Sequence, residues 1–455
     1  MSRRTAERDP SPRMPATRIV DPARARRTYR LVAALAALGF VLAACGHAFT
    51  TPVLTDGSFI NAPDEAAHMG YVRVLAEQRR LPRRTDTADH TYEWHQPPLY
   101  YMTAALAWPG GPRTARLLGV LTGTATLALL YLGGCLLWRR SEAPACLMVV
   151  LAAGLPMRQA ICASVGNDAA TELWFTAAAV ALLVAARTGL TPRWGVACGA
   201  AVVMATLTKA SGLVLVAPLL ATAAVAAGPT RRQRVIWLAC AVATVAAGSG
   251  WWFARNAKLY GDATLTRVFA REFAGTARAA DWIGKRPLRV DPASGSLVPG
   301  PPMTRAGYTA LVADWTSRTF VAAFTSVRGA AIGMPLFLPQ QLYVLAWLPL
   351  ASAMLGWLLR PNAKTDDGPS LADAVVLGVL LAATAAAFAA FTWTYFQAQG
   401  RYLYPAMLPL TALVAGGLYR WAGEERAATA AIGCTALGAI LTAALLFAGV
   451  IPAYG

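Results

Sequence analysis

Charge is what this chain has least of, and acid least of all. Of 455 residues only 14% are charged, with 23 Asp and Glu against 41 Lys and Arg. A soluble domain carries about 25% charge and about 45–50% apolar residues; here 56% are hydrophobic and the mean hydropathy is +0.44. An ordinary soluble enzyme is thereby excluded. The net charge of +18 would suggest nucleic acid in a soluble protein, but in a membrane chain much of it sets orientation, and no nucleic-acid partner is expected. The seven cysteines lie in or beside apolar blocks with no close-spaced pair, so neither a disulfide framework nor a CxxC metal site is implied. No Walker-type Gly-Lys-Ser/Thr loop is present, which argues against ATP-driven transport. No repeat with a period of about 20–50 residues is seen.

What the chain does have is a succession of apolar blocks of 15–26 residues, each near the length that a helix needs to cross a bilayer core of about 30 Å. They predict an all-α polytopic transmembrane bundle of eleven spans, at 31–48, 115–138, 143–157, 168–187, 194–208, 210–227, 235–253, 339–359, 371–396, 402–421 and 427–451. Residues 31–48 follow nine arginines without a small-residue cleavage site and read as a signal anchor. Residues 1–30 read as a disordered cytoplasmic tail and residues 31–455 as the membrane domain. With the N-terminus inside, the other short inside loops carry eleven Lys and Arg, whereas the short outside connections carry three, Arg158, Lys209 and Arg401. Residues 49–114 and 254–338 then form two long loops on the extracytoplasmic side of a plasma membrane. The stretch 96–108 is expected to lie along the outer interface, and 320–339, with Arg328 in its middle, to be interfacial or re-entrant. No Asp, Glu, Lys or His falls at the middle of a predicted span, where ion-coupled transporters place such groups.

The candidate chemistry lies on the outer side. Pro63-Asp64-Glu65 suits the start of a helix, on which Asp64, His68, Tyr71 and Leu75 share one face. An acidic first turn equally suits a plain surface helix. All four histidines, His47, His68, His90 and His95, fall between residues 47 and 95, beside the segment Tyr92-Glu93-Trp94-His95-Gln96-Pro97-Pro98. Imidazole with carboxylate suits a divalent metal, but no HxH or HExxH spacing supports one, so a metal stays open and no cofactor is certain. Asn167 reads as an N-cap, and Asp168 as a second outer carboxylate that could face Asp64, with Glu172 one turn on. Lys209, the Arg255-Asn256 pair and Gln399-Gly400-Arg401-Tyr402 bring cations and polar groups to three further outer turns. Region 254–338 adds eleven Lys and Arg against five acids, a balance that suits an anionic lipid headgroup or phosphate.

These motifs, in this order, resemble the GT-C glycosyltransferases, which take sugars from polyprenyl-phosphate carriers. The resemblance spans roughly residues 30–420. It rests on Pro63-Asp64-Glu65-x-x-His68, His95-Gln96-Pro97-Pro98-Leu99-Tyr100-Tyr101, Asn167-Asp168, Arg255-Asn256-x-x-x-Tyr260-Gly261-Asp262 and Gln399-Gly400-Arg401-Tyr402, and is nearest to a bacterial branch with a PDExxH first outer loop. The sequence departs from many members in having no sizeable soluble C-terminal domain, which leaves the acceptor class open. The resemblance implies catalytic roles for Asp64, Glu65, His68 and Asp168, with Asp64 as general base. It implies substrate binding by Tyr71, His95, Gln96, Asn167, Lys209, Arg255, Asn256, Gln399, Arg401 and Tyr402. The implied reaction moves a sugar, with inversion, from the lipid-phosphate carrier to a hydroxyl of a cell-envelope glycan, lipid or protein. A lipid-linked sugar flippase and a non-catalytic membrane assembly protein are the rival readings.

Overall fold

The computed structural model describes residues 21–53, 64–85, 91–286, 288–290, 297–325, 335–359 and 368–451. In chain order its helices are α1 (Pro22–Thr50), α2 (Glu65–Gln78), α3 (Leu99–Ala107), α4 (Pro112–Leu137), α5 (Ala143–Ala153), α6 (Pro156–Cys162), α7 (Asp168–Thr188) and α8 (Pro192–Thr208). There follow α9 (Val216–Val225), α10 (Arg231–Tyr260), α11 (Thr266–Glu272), α12 (Ala279–Trp282), α13 (Arg305–Val321), α14 (Gln340–Leu359), α15 (Leu371–Thr394) and α16 (Met407–Leu445). The only strands among the described residues form two antiparallel hairpins, β1 (Leu288–Val290) with β2 (Leu297–Pro299), and β3 (Ala323–Thr325) with β4 (Pro335–Phe337).

Each of the eleven apolar blocks is largely helical. Seven of the helices are long and apolar enough to cross a membrane, and α5 with α6, bent by 70°, makes an eighth if the pair is one span. A straight helix of the 39 residues of α16 would be about 58 Å long, far more than a bilayer core. Gly423, with φ 69° and ψ 171°, breaks it between the two blocks that hydropathy separates. The chain is a helical membrane protein. Leu31, Leu35, Leu38 and Leu42 stand more than half exposed on one face of α1, a surface suited to lipid rather than water. Inward, α5 and α16 meet at Gly154 and Gly438, where a Cβ on Gly438 would come within 2.6 Å of the Gly154 Cα. Close backbone approach through small residues is how helices associate in lipid.

Two expectations change. Helix α1 begins at Pro22, so the last nine residues of the expected tail are helical: the Asp21 side chain caps the Ala23 amide at 3.0 Å, and Arg30 pairs with Glu142 at 2.6 Å. Residues 1–20 lie outside the described residues. The segment 320–339, expected to be interfacial or re-entrant, contains the end of α13 and the β3–β4 hairpin, and Arg328 lies outside the described residues. Arg158, counted with the outer loop, is instead buried inside the bundle. Its Nε donates to Glu172 at 2.8 Å, its Nη2 to the Gly123 carbonyl at 2.9 Å, and its guanidinium lies 4.8 Å from the Phe40 ring.

Charged groups collect at the two ends of the bundle. At one end Glu142 accepts from Arg30 and Tyr131, Ser141 donates to Glu424, and Arg187 pairs with Asp373. At the other end, where α1, α8 and the segment before α16 terminate, the candidate residues meet.

Candidate functional site

The site is built around Arg401, which lies on a 3-10 turn (Gly400–Ala406) leading into α16. Its Nη2 donates to Oδ2 of Asp64 at 3.0 Å and its Nη1 to Oδ2 of Asp168 at 2.9 Å, so one guanidinium bridges carboxylates from two different loops. Lys209, between α8 and the turn Ala210–Leu215, donates to the other oxygen of Asp168 at 2.6 Å. Tyr402 lies under both cations, its ring 5.1 Å from the Arg401 guanidinium and 5.2 Å from Nζ of Lys209. Pairing of this kind is what allows charges to sit at 4% (Arg401) and 13% (Asp168) side-chain exposure.

Asp64 is the open member of the cluster, with 37% of its side chain exposed. It occupies the position just before α2 in the left-handed region, φ 66° and ψ 6°, and its side chain makes no capping bond. A non-glycine residue held there costs about 1–3 kcal/mol, the kind of strain that collects at functional sites. The conformation turns the carboxylate away from its own helix and toward Arg401 and Tyr92, whose hydroxyl donates to Oδ1. Burial alone would push the Asp64 carboxyl up, but Arg401, then His68, then the Tyr92 hydrogen bond outweigh it and hold it below the usual carboxylate range.

Around this pair the structure gathers most of the expected residues. His68, buried on the first turn of α2, holds its Nδ1 2.7 Å from the Tyr101 hydroxyl. Tyr71 stacks on Tyr101 at 3.8 Å and donates to the Gln96 carbonyl. Asn167 sits at the N-cap position of α7 without capping it; its Nδ2 donates instead to Oε1 of Gln96 and to the Thr208 carbonyl, both at 3.2 Å. The amide thus ties the loop before Asp168 to the one before Lys209. His95 is enclosed by Phe269, Phe273 and Trp94, and burial pushes its imidazole down to about 4, so it is neutral.

Glu65 takes a different place. It is 3% exposed and accepts two hydrogen bonds from Arg116, Nε to Oε1 and Nη2 to Oε2, each 2.8 Å, plus the Val165 amide at 2.8 Å. Arg116 further donates to the carbonyls of Ala48, Thr51 and Pro52. Both Glu65 oxygens are engaged in joining the end of α1, α2, α4 and the loop before α7, which gives the side chain a structural part. Arg255 is also outside the cluster: it donates to the Pro82 carbonyl and to Asn256, and stacks on Trp252 at 5.0 Å. Asn256 turns to the Ala263 carbonyl, and Gln399 to Gln397. His47 is buried within α1, and His90 lies outside the described residues.

Three participants were not legible as site residues. Tyr92 and Glu93 lie on a 3-10 turn (Tyr92–His95) that folds back over Asp64, and Glu93 is 5% exposed, its carboxyl pushed up by burial. Tyr101 holds His68. Their adjacency to the His95-Gln96-Pro97-Pro98 motif was the available signal, but nothing in the spacing says that this turn reaches across to residue 64.

This arrangement of helices matches the multi-span GT-C fold. The chain is similar to ArnT from Cupriavidus metallidurans, solved bound to undecaprenyl phosphate, with a TM-score of 0.53 and 15% identity over 93% of this chain and 73% of ArnT. The oligosaccharyltransferase of Archaeoglobus fulgidus, solved in complex with Zn and sulfate, matches with a TM-score of 0.44 and 13% identity over 90% of this chain and 53% of its own. No family model and no curated protein matches the sequence. At such identity the likeness to ArnT establishes the fold alone.

Proposed function

We propose that the protein is an integral membrane glycosyltransferase, which moves a sugar from a polyprenyl-phosphate carrier to a hydroxyl of a cell-envelope glycan, lipid or protein. The active site is on the extracytoplasmic face of the plasma membrane and the N-terminus is cytoplasmic. The observation that carries this reading is the Asp64–Arg401–Asp168 bridge, a partly exposed carboxylate beside a buried cation in a GT-C fold.

A carrier phosphate offers Arg401 and Lys209 a better-matched partner than the carboxylates they now hold, since Arg grips phosphate with two parallel hydrogen bonds. Arg401 then leaves Asp64, and the carboxylate regains basicity when its cationic neighbour turns away. Asp64 takes the proton of the acceptor hydroxyl as that oxygen bonds to the anomeric carbon. The bond from that carbon to the phosphate oxygen breaks, its electron pair stays on the leaving phosphate, and Arg401 and Lys209 meet the charge as it grows. A single displacement inverts the anomeric carbon. Asp168 keeps both cations in place, and His68 and Tyr71 line the approach.

The test is transfer from a polyprenyl-phosphate sugar by detergent-purified protein, comparing the native chain with Asp64→Asn at matched thermal stability. Loss of turnover by about 10²–10⁴-fold supports the base. Native turnover in Asp64→Asn removes it and favours a flippase or an assembly protein.

A further inference from the structure

The structure assigns a divalent-cation site to Asp64, His68 and Glu93. One carboxylate oxygen from each acid and one imidazole nitrogen lie within 4.8 Å of one another. The three come from two elements: Asp64 and His68 one helical turn apart at the start of α2, and Glu93 from the turn Tyr92–His95.

The second observation concerns the Glu93 carboxylate. Glu93 is 5% exposed, and its Oε2 has no hydrogen-bond partner among the described residues. Its nearest cationic candidate, Nε2 of His95, is 3.9 Å away, beyond hydrogen-bond reach. That nitrogen is moreover engaged with the Gln96 amide at 3.2 Å, while the His95 Nδ1 faces the Tyr92 carbonyl at 2.9 Å. His95 therefore donates through Nδ1 and has no proton left for Glu93. A buried carboxylate oxygen without a donor is costly, and such groups in native proteins call for a partner, often an ion.

His68 is prepared for the same task. The Tyr101 hydroxyl occupies Nδ1 at 2.7 Å and fixes the ring, leaving Nε2 as the coordinating atom; the outer partner of a ligating histidine characteristically plays this part. Asp64 can join without losing its other contacts, because each of its oxygens accepts one hydrogen bond and keeps a second lone pair. The surrounding charge permits a cation: among the described residues Asp64, Glu93 and Asp168 face Arg401, Lys209 and His68. Two carboxylates and one imidazole suit Mn2+ or Zn2+ better than a thiolate-seeking or an all-oxygen metal. Ligands at about 2.0–2.2 Å from an ion stand roughly 3–4 Å apart, so filling the site draws the three groups together by about 1 Å.

The assignment shares Asp64 with the proposed base but does not depend on that role, because its test reads metal rather than turnover. Purified full-length protein, stripped with chelator and titrated with Mn2+, should bind one ion per chain. Pulsed electron paramagnetic resonance on the Mn2+-loaded native protein should show one imidazole nitrogen coupled to the ion. Glu93→Gln and His68→Ala should each weaken Mn2+ binding about tenfold or more, whereas Glu272→Gln, a surface acid paired with Arg84, should bind as the native chain does. Absence of stoichiometric Mn2+ and Zn2+ binding, or bound Mn2+ without nitrogen coupling, overturns the site even if the variants fail to fold. Undiminished binding in folded Glu93→Gln overturns it as well.

Discussion

Arg116 closes a two-pronged ion pair on Glu65, Nε and Nη2 each 2.8 Å from a carboxylate oxygen, with 1% and 3% of the two side chains exposed. The acid next to the proposed base is thus held by Arg116, and Glu65 is expected to serve the architecture where Asp64 is proposed to serve the chemistry. Removing one partner of a buried pair strands the other charge, at a cost of about 3–5 kcal/mol. Glu65→Gln should lower the unfolding temperature in detergent markedly, and Arg116→Gln should do the same. A Glu65→Gln protein with native thermal stability and lost turnover would return Glu65 to the chemistry.

Arg401 is expected to fail as lysine. A guanidinium can hold Asp64 and Asp168 at once, as the 3.0 and 2.9 Å contacts record, whereas an ammonium is a point charge on a flexible stem. Arg401→Lys should weaken carrier binding and turnover despite keeping the charge. If Arg401→Ala leaves both intact, the phosphate contact belongs elsewhere, and Arg255 becomes the first candidate.

The Asp64 contact should leave a signature in acid. The Asp64 carboxyl is held below its unfolded value of about 3.9, so its contribution to stability is full above that value and is lost as pH falls through the lower, folded one. The difference in unfolding temperature between the native chain and Asp64→Asn should be constant from pH 8 to about 5 and shrink only below about pH 4. A difference that fades between pH 7 and 5 would show the carboxyl raised instead.

Orientation can be read by labelling. On a cysteine-free background, Thr85→Cys and Ala274→Cys should react with an impermeant reagent in intact cells, and Ala227→Cys, at the end of the span 210–227 that is expected to face inside, should not. All three positions are exposed in the fold. Protection of Thr85→Cys or Ala274→Cys would reverse the placement of the site.

The helical membrane class was legible in the sequence, because burying backbone polar groups in lipid leaves a chain of this hydropathy only helices, and about twenty apolar residues in a row announce each one. The same local logic picked out Asp64, Asp168, Lys209 and Arg401, since charged residues between apolar blocks must gather at helix ends. What local pattern cannot encode is which ends meet. Arg401 lies 337 positions from Asp64, and their contact exists only because α2, α7 and α16 converge at one end of the bundle. Asp64 reads as a helix cap until the fold holds it at φ 66° and leaves it uncapped. Glu65, one residue on and chemically its equal, points instead to Arg116, because consecutive side chains at a helix start diverge by about 100°. Arg158 reads as a loop charge until Glu172, fourteen positions away, accounts for its burial. Segment identity and the supply of charge are properties of short windows of sequence; the division of those charges into site and scaffold is a property of long-range packing, and only the tertiary structure decided it.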